Sequence, residues 1–180
     1  HERALAFRPD FRVPSSAIEG LTAVPAPLPS IPMGEIRVTH QEGVLRTLLG
    51  SCIGVALWDR RLKIAALAHV VLPQSNGSAA APGKYADTAV PEMLRQMVLL
   101  AKGERVSPSA KIAGGANMFA SASALTVGDQ NIEAVEAILH RHRIPIVGRH
   151  LGGEQGRRML LDAASGTVTI EIVGAESATI

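Results

Sequence analysis

The 180 residues contain only one cysteine, Cys52. An intrachain disulfide is therefore excluded, and with it the stapled architecture of small secreted domains. Aromatic residues make up 3% of the chain, too few to supply the stacking platforms on which single-stranded nucleic-acid binding leans. Net charge is small: 18 Lys and Arg against 16 Asp and Glu leave +2, which is no nucleic-acid footprint. No apolar run approaches the roughly 18 residues of a membrane span. The opening residues lack the cationic start and apolar stretch of a secretory signal, so a cytoplasmic location is expected. His140, His142 and His150 are scattered and show no metal-ligand spacing with Cys52. No metal, organic cofactor, nucleic-acid partner or membrane insertion is expected.

What is present is aliphatic. Hydrophobic residues reach 47%, and with few aromatics the core must be built from Val, Ile, Leu, Ala and Met. Residues 1–33 carry Pro9, Pro14, Pro25, Pro27, Pro29 and Pro32 without a sustained period and read as an extended or disordered arm. Residues 34–180 read as one globular domain. Short strands are expected at 35–40 and 44–49, around Gln41-Glu42-Gly43. Further strands are expected at 53–58, 64–70, 111–113, 144–147, 158–162 and 167–173. One helix should begin with a cap at Asp87 or Thr88, place Pro91 in its first turn, and bury Val90, Leu94, Met97, Val98 and Ala101. A second should start near Gly128-Asp129, with Ile132, Val135, Ile138 and Leu139 inward. The class is mixed α/β. Hairpin-like strand pairs argue for largely antiparallel sheets flanked by helices, and against a doubly wound parallel sheet.

The strands at 53–58 and 64–70 carry the chemistry. Paired antiparallel about a turn centred between Arg60 and Arg61, they put Cys52 directly opposite His69, with Cβ atoms roughly 5 Å apart on one face. A free thiol is mostly protonated at neutral pH, and an imidazole within reach can take its proton and leave a nucleophilic thiolate. Gly50 and Ser51 precede the cysteine. A bend there could aim backbone N–H groups at the oxyanion of an acyl-transfer reaction. The alternative reading is plain: a lone cysteine and a histidine after Ala-Ala-Leu-Ala are both ordinary core residues.

Two glycine-rich stretches, Gly114-Gly115-Ala116-Asn117 and Gly152-Gly153-Glu154-Gln155-Gly156, match neither a phosphate loop nor a dinucleotide fingerprint. They read as tight turns. Gln74–Gly83 reads as a loop. Arg141, Arg143 and Arg149, interspersed with histidines, are either a solvated helix end or a patch that meets an acidic partner.

Six blocks then stand in order: TLLGSCIGVALWD (47–59), AALAHVVLPQS (65–75), KYADTAVPEML (84–94), KIAGGANMF (111–119), VGDQNIEAV (127–135) and HLGGEQGRRMLLDAASGTV (150–168). In these the chain resembles the chemoreceptor glutamine deamidase family, CheD, over about residues 34–173. The resemblance implies a layered sandwich like that of a bacterial cytotoxic deamidase. It implies hydrolysis of glutamine side-chain amides in the cytoplasmic helical domain of chemotaxis receptors, with Cys52 as nucleophile, His69 as base and Thr47 as the supporting residue. It also implies CheC, a phosphatase of the response regulator, as a partner. Gln74 and His150 stand where the family commonly carries acidic residues. Gln74, Ser75, Tyr85, Gly114, Gly115, Asn117, Gly152 and Gly153 are the expected rim of the substrate site. A non-catalytic adaptor for CheC or receptors, and a cysteine hydrolase of another kind, are the competing classes.

Overall fold

The structure is a computed structural model and describes residues 29–78, 81–118 and 126–180. Nine strands and two α-helices form three layers. The strands are β1 (Ile36–His40), β2 (Val44–Leu49), β3 (Ile53–Asp59), β4 (Ile64–Val70), β5 (Ser109–Gly114), β6 (Ile146–Leu151), β7 (Arg157–Asp162), β8 (Val168–Glu171) and β9 (Ala178–Thr179). The helices are α1 (Ala86–Leu100) and α2 (Val127–Arg141). One sheet runs β1-β4-β3-β5-β6 and the other β2-β7-β8-β9. Every pairing is antiparallel except β5 with β6. Parallel neighbours need a crossover, and α2 supplies it.

The middle layer explains its own sequence. β4 reads Ile-Ala-Ala-Leu-Ala-His-Val and is buried at every position. A strand covered on both faces has no reason to alternate. Ile64, Ala66, Ala68 and Val70 pack toward the helices, in a core with Met93, Met97, Val135 and Leu139. Ala65 and Leu67 face the second sheet, in a core with Leu49, Met159, Leu161 and Ile170. His69 has the same parity as Ala65 and Leu67, so its side chain falls between the sheets.

Three local expectations are corrected. β1 and β2 do not pair with each other. They enter different sheets, β1 against β4 and β2 against β7. The β3–β4 turn is centred between Arg61 and Leu62, because the hairpin closes at Asp59 opposite Ile64. Asp59 stabilises this wider turn by accepting the N–H groups of Arg61 at 3.0 Å and Leu62 at 2.9 Å, and Lys63 takes a left-handed conformation. α1 begins at Ala86 with no side-chain cap, and Pro91 lies inside it. The two expected caps are engaged elsewhere: Asp87 accepts from Ser75, and the Thr88 hydroxyl donates to the Pro82 carbonyl at 2.6 Å. The buried stripe of α1 is Ala86, Ala89, Val90, Met93 and Met97, while Val98 is 52% exposed. α2 starts with a reciprocal capping box between Thr126 and Asp129.

Candidate active site

β2 belongs to one sheet and β3 to the other, so Gly50-Ser51-Cys52 must cross between layers. The crossover is held through its carbonyls. Gly50 accepts from the Ala116 N–H at 2.9 Å, and Cys52 from the Gly115 N–H at 3.0 Å. Ser51 accepts from the Asn131 side chain at 3.2 Å. None of the backbone hydrogen bonds among the described residues uses the N–H of Ser51 or Cys52. Gly114 sits directly beneath, with φ of 115°, and a Cβ there would lie 2.1 Å from the Cys52 carbonyl oxygen. Only glycine permits that approach.

The register differs from the expected one by two residues. His69 lies opposite Gly54, and the last rung pairs Ile53 with Val70. An even slip keeps side chains on the same face. Cys52, just before β3, packs partly buried against the core between the sheets, the side on which His69 falls, and the two are no longer directly opposite. Gly54 leaves the space opposite the imidazole free of a side chain. A Cβ there would meet Met159 Sδ at 2.6 Å and Leu49 Cδ1 at 2.8 Å.

Thr47 projects from β2 into the same space and is fully buried. Its hydroxyl lies 2.7 Å from His69 Nδ1 and 2.9 Å from the Ile31 carbonyl oxygen. These two distances fix the tautomer. The carbonyl can only accept, so the single hydroxyl proton goes to Ile31. The hydroxyl oxygen must then accept from His69 Nδ1–H. In the neutral imidazole the proton is spent at Nδ1, and Nε2 carries a free lone pair. Nε2 is buried and has no hydrogen-bond partner among the described residues.

Burial lowers the His69 pKa from its ordinary value of 6.5, with the Ile31 carbonyl partly opposing. Burial also raises Cys52 above its ordinary 9.0. Both shifts favour uncharged partners.

The other expected residues fall into groups. Gly114 and Gly115 are buried under the crossover. Asn117 N–H donates to the Gly153 carbonyl at 2.8 Å, and Gly152 N–H to the Gly114 carbonyl at 2.9 Å, so the two glycine-rich turns are joined. Arg157, 3% exposed, holds the second turn from inside, donating to the His150 carbonyl and Nδ1 at 2.7 Å each. Ser75 is tied to Asp87, its hydroxyl donating at 2.9 Å. Gln74 is exposed, and half-buried Tyr85 lies at the start of α1, bridged to Leu72. In the basic stretch Arg149 pairs with Glu136 at 2.8 Å, while His140, Arg141, His142 and Arg143 are exposed around the end of α2.

Sequence reasoning missed Ile31, Asn131 and Met118. Ile31 lies in the stretch assigned to the arm, yet it is buried and its N–H donates to the Arg46 carbonyl at 2.8 Å. Nothing in a proline-rich segment marks it. Asn131 had a signal, a polar residue four before Val135 on the buried stripe of α2. Met118 sits over Gly50, where a Cβ would meet its sulfur at 2.6 Å. The remainder of the arm, residues 1–28, lies outside the described residues, as do Ala79 and Ala80 in the 74–83 loop.

A thiol at a chain crossover, an imidazole with its free nitrogen on the same face, and a hydroxyl anchoring the other nitrogen form the kind of constellation that cysteine-dependent acyl-transfer enzymes use. The family described as CheD chemotactic sensory transduction matches residues 71–172, more than half of the chain, beginning two residues past His69. A Clostridium botulinum protein named probable chemoreceptor glutamine deamidase CheD is 47% identical over 143 residues, covering 76% of this chain and 87% of its own length. A Methanococcus vannielii protein of the same name is 44% identical over 142 residues, covering 78% and 92%. The chemoreceptor glutamine deamidase CheD of Thermotoga maritima is 40% identical over 146 residues, covering 80% and 91%. This chain belongs to the CheD family. Among its described residues no helix is long and apolar enough to cross a membrane, and no group of three His, Cys, Asp or Glu could hold a metal ion.

Proposed function

We propose that the protein is a chemoreceptor glutamine deamidase, converting glutamine side chains of receptor cytoplasmic helices to glutamate and ammonia through a thioester on Cys52. The observation that carries the mechanism is the Thr47–His69 hydrogen bond, which leaves a bare, buried Nε2 on the face that Cys52 shares. As the sulfur attacks the carboxamide carbon, Nε2 takes the thiol proton. The N–H groups of Ser51 and Cys52, which no backbone hydrogen bond among the described residues uses, stabilise the oxyanion. Collapse breaks the C–N bond, and the imidazolium returns the proton to the leaving ammonia. Water, deprotonated by Nε2, then cleaves the thioester to release glutamate and restore the thiol. Thr47 keeps the imidazole in the working tautomer throughout.

A single glutamine offers little binding energy, so the substrate helix must be read by a wider surface. The joined turns at Asn117, Gly152 and Gly153 and the loop at Gln74, Ser75 and Tyr85 serve as that rim, with Gly50, Gly114 and Gly115 supporting the nucleophile from below. CheC fits as a partner on the family resemblance alone. The test is incubation with a receptor cytoplasmic fragment, followed by peptide mapping for glutamine-to-glutamate conversion. Conversion by the wild type and none by Cys52→Ala supports the proposal. Backbone cleavage of the fragment instead of amide loss points to a peptidase and rejects it.

A further inference from the structure

The β3–β4 ladder stops beside the nucleophile. Its last rung pairs Ile53 with Val70, and the next would pair Cys52 with Val71. That rung is not made. Val71 N–H donates instead to the Lys84 carbonyl at 2.8 Å, and the Cys52 carbonyl accepts from Gly115. The Asn131 amide enters the gap, Nδ2 donating to the Val71 carbonyl at 2.9 Å and the Ser51 carbonyl at 3.2 Å. Both acceptors are carbonyls, so the amide can be oriented only with its nitrogen toward them. Asn131 is fully buried, and its Oδ1 has no partner among the described residues. An apolar residue in the same place on the α2 stripe would leave the Ser51 and Val71 carbonyls without this donor. The amide thus does more than fill space: it joins the Ser51 peptide, next to the nucleophile, to the end of β4.

We infer that Asn131 is a positioning residue for the reaction: its two N–H bonds tie the peptide carrying the nucleophile to the end of the strand carrying the base. The inference rests on the Cys52–His69 reading. Asn131 touches only backbone and takes no part in bond making. Its amide replaces the missing rung and fixes the diagonal offset between sulfur and Nε2.

The test is a cycle on Cys52 alkylation by iodoacetamide near neutral pH, which needs no receptor substrate. His69→Ala measures how much the base accelerates the thiol. A positioning role predicts that Asn131→Ala loses most of that acceleration, and that the double variant is no slower than His69→Ala alone, a non-additive pair. On a receptor fragment, kcat should fall about tenfold or more with KM within about twofold. Asn131→Asp, of equal size, has at most one hydrogen to donate and should behave like Asn131→Ala. It carries the test should the alanine variant not fold. Additive slowing, or a change in KM alone, overturns the inference. A purely structural residue would lower the melting temperature and leave the His69-dependent part of alkylation intact. If His69→Ala itself leaves alkylation unchanged, the catalytic reading fails and the Asn131 inference falls with it.

Discussion

Replacing Thr47 by valine removes one oxygen from the space between the sheets and keeps nearly the same shape. Two buried groups then lose their partner, the Ile31 carbonyl and His69 Nδ1–H. Each stranded group costs roughly 1–3 kcal/mol. The imidazole has an escape: with its proton on Nε2 it can donate to the Cys52 sulfur, which offsets part of the cost at Nδ1. The lower end of the range then applies, about 2 kcal/mol of lost stability, or roughly 4–8 °C in melting temperature for a chain of this size. The escape also disables the site, because a protonated Nε2 cannot accept from Cys52. If the shift relieves about 1.4 kcal/mol, the active tautomer falls about tenfold, and kcat with it. Thr47→Ser is the control. It keeps the hydroxyl, loses one buried methyl worth about 0.8 kcal/mol, and should retain activity within a few-fold. Melting curves, deamidation kinetics and nitrogen NMR of the His69 ring read the three consequences separately. A valine variant with wild-type kcat, or a serine variant as damaged as the valine one, would refute the tautomer argument.

The pH profile follows from the two pKa directions. His69 must be neutral to act, and burial lowers its pKa, so the acid limb of kcat/KM should have its midpoint below 6.5. Burial raises Cys52, so in His69→Ala, where no base assists, its alkylation should climb only on the alkaline side of 9.0, and a variant thiol titrating near neutrality would contradict that effect of burial. The same His69 shift bears on stability. A depressed folded pKa contributes nothing against the unfolded chain above about 6.5 and costs stability as pH falls below it, so His69→Gln should flatten the acid limb of a melting-temperature profile. Gly54→Ala drives a Cβ against Met159 and Leu49, directly opposite His69. It should cost about 1–3 kcal/mol, with a larger relative loss of activity, read by melting and turnover together. Gly114→Ala collides with the Cys52 carbonyl in a conformation that disfavours side chains, and should lose activity even where some folded protein survives.

Local patterns made the layers legible and left their joints obscure. The strand at 64–70 was legible in its apolar run, and α2 in its stripe of Ile132, Val135, Ile138 and Leu139, while the cap at Thr126 came only with the structure. The β3–β4 register was off by two because Asp59 caps a wider turn than the sequence suggests, and a bonding pattern centred on one carboxylate is hard to foresee. The error was harmless to the side-chain face only because it was even. Cys52 and His69 were legible as a candidate pair through their chemistry, and Thr47 only through the family likeness. The Ile31 carbonyl that fixes the tautomer was not, since backbone acceptors carry no sequence signature and this one comes from the proline-rich stretch. Asn131 was readable as an oddity on an apolar face, but its partners, 80 and 60 residues away in the chain, were not.

The most direct measurement is trapping of the covalent intermediate. Wild-type protein is mixed with a receptor cytoplasmic fragment, quenched in acid during the first turnover, and mapped by mass spectrometry. The expected result is a thioester linking a glutamine-derived acyl group to the peptide that contains Cys52, and no such adduct in Cys52→Ala. Turnover of glutamine to glutamate with no adduct at Cys52, persisting in Cys52→Ala, would contradict it.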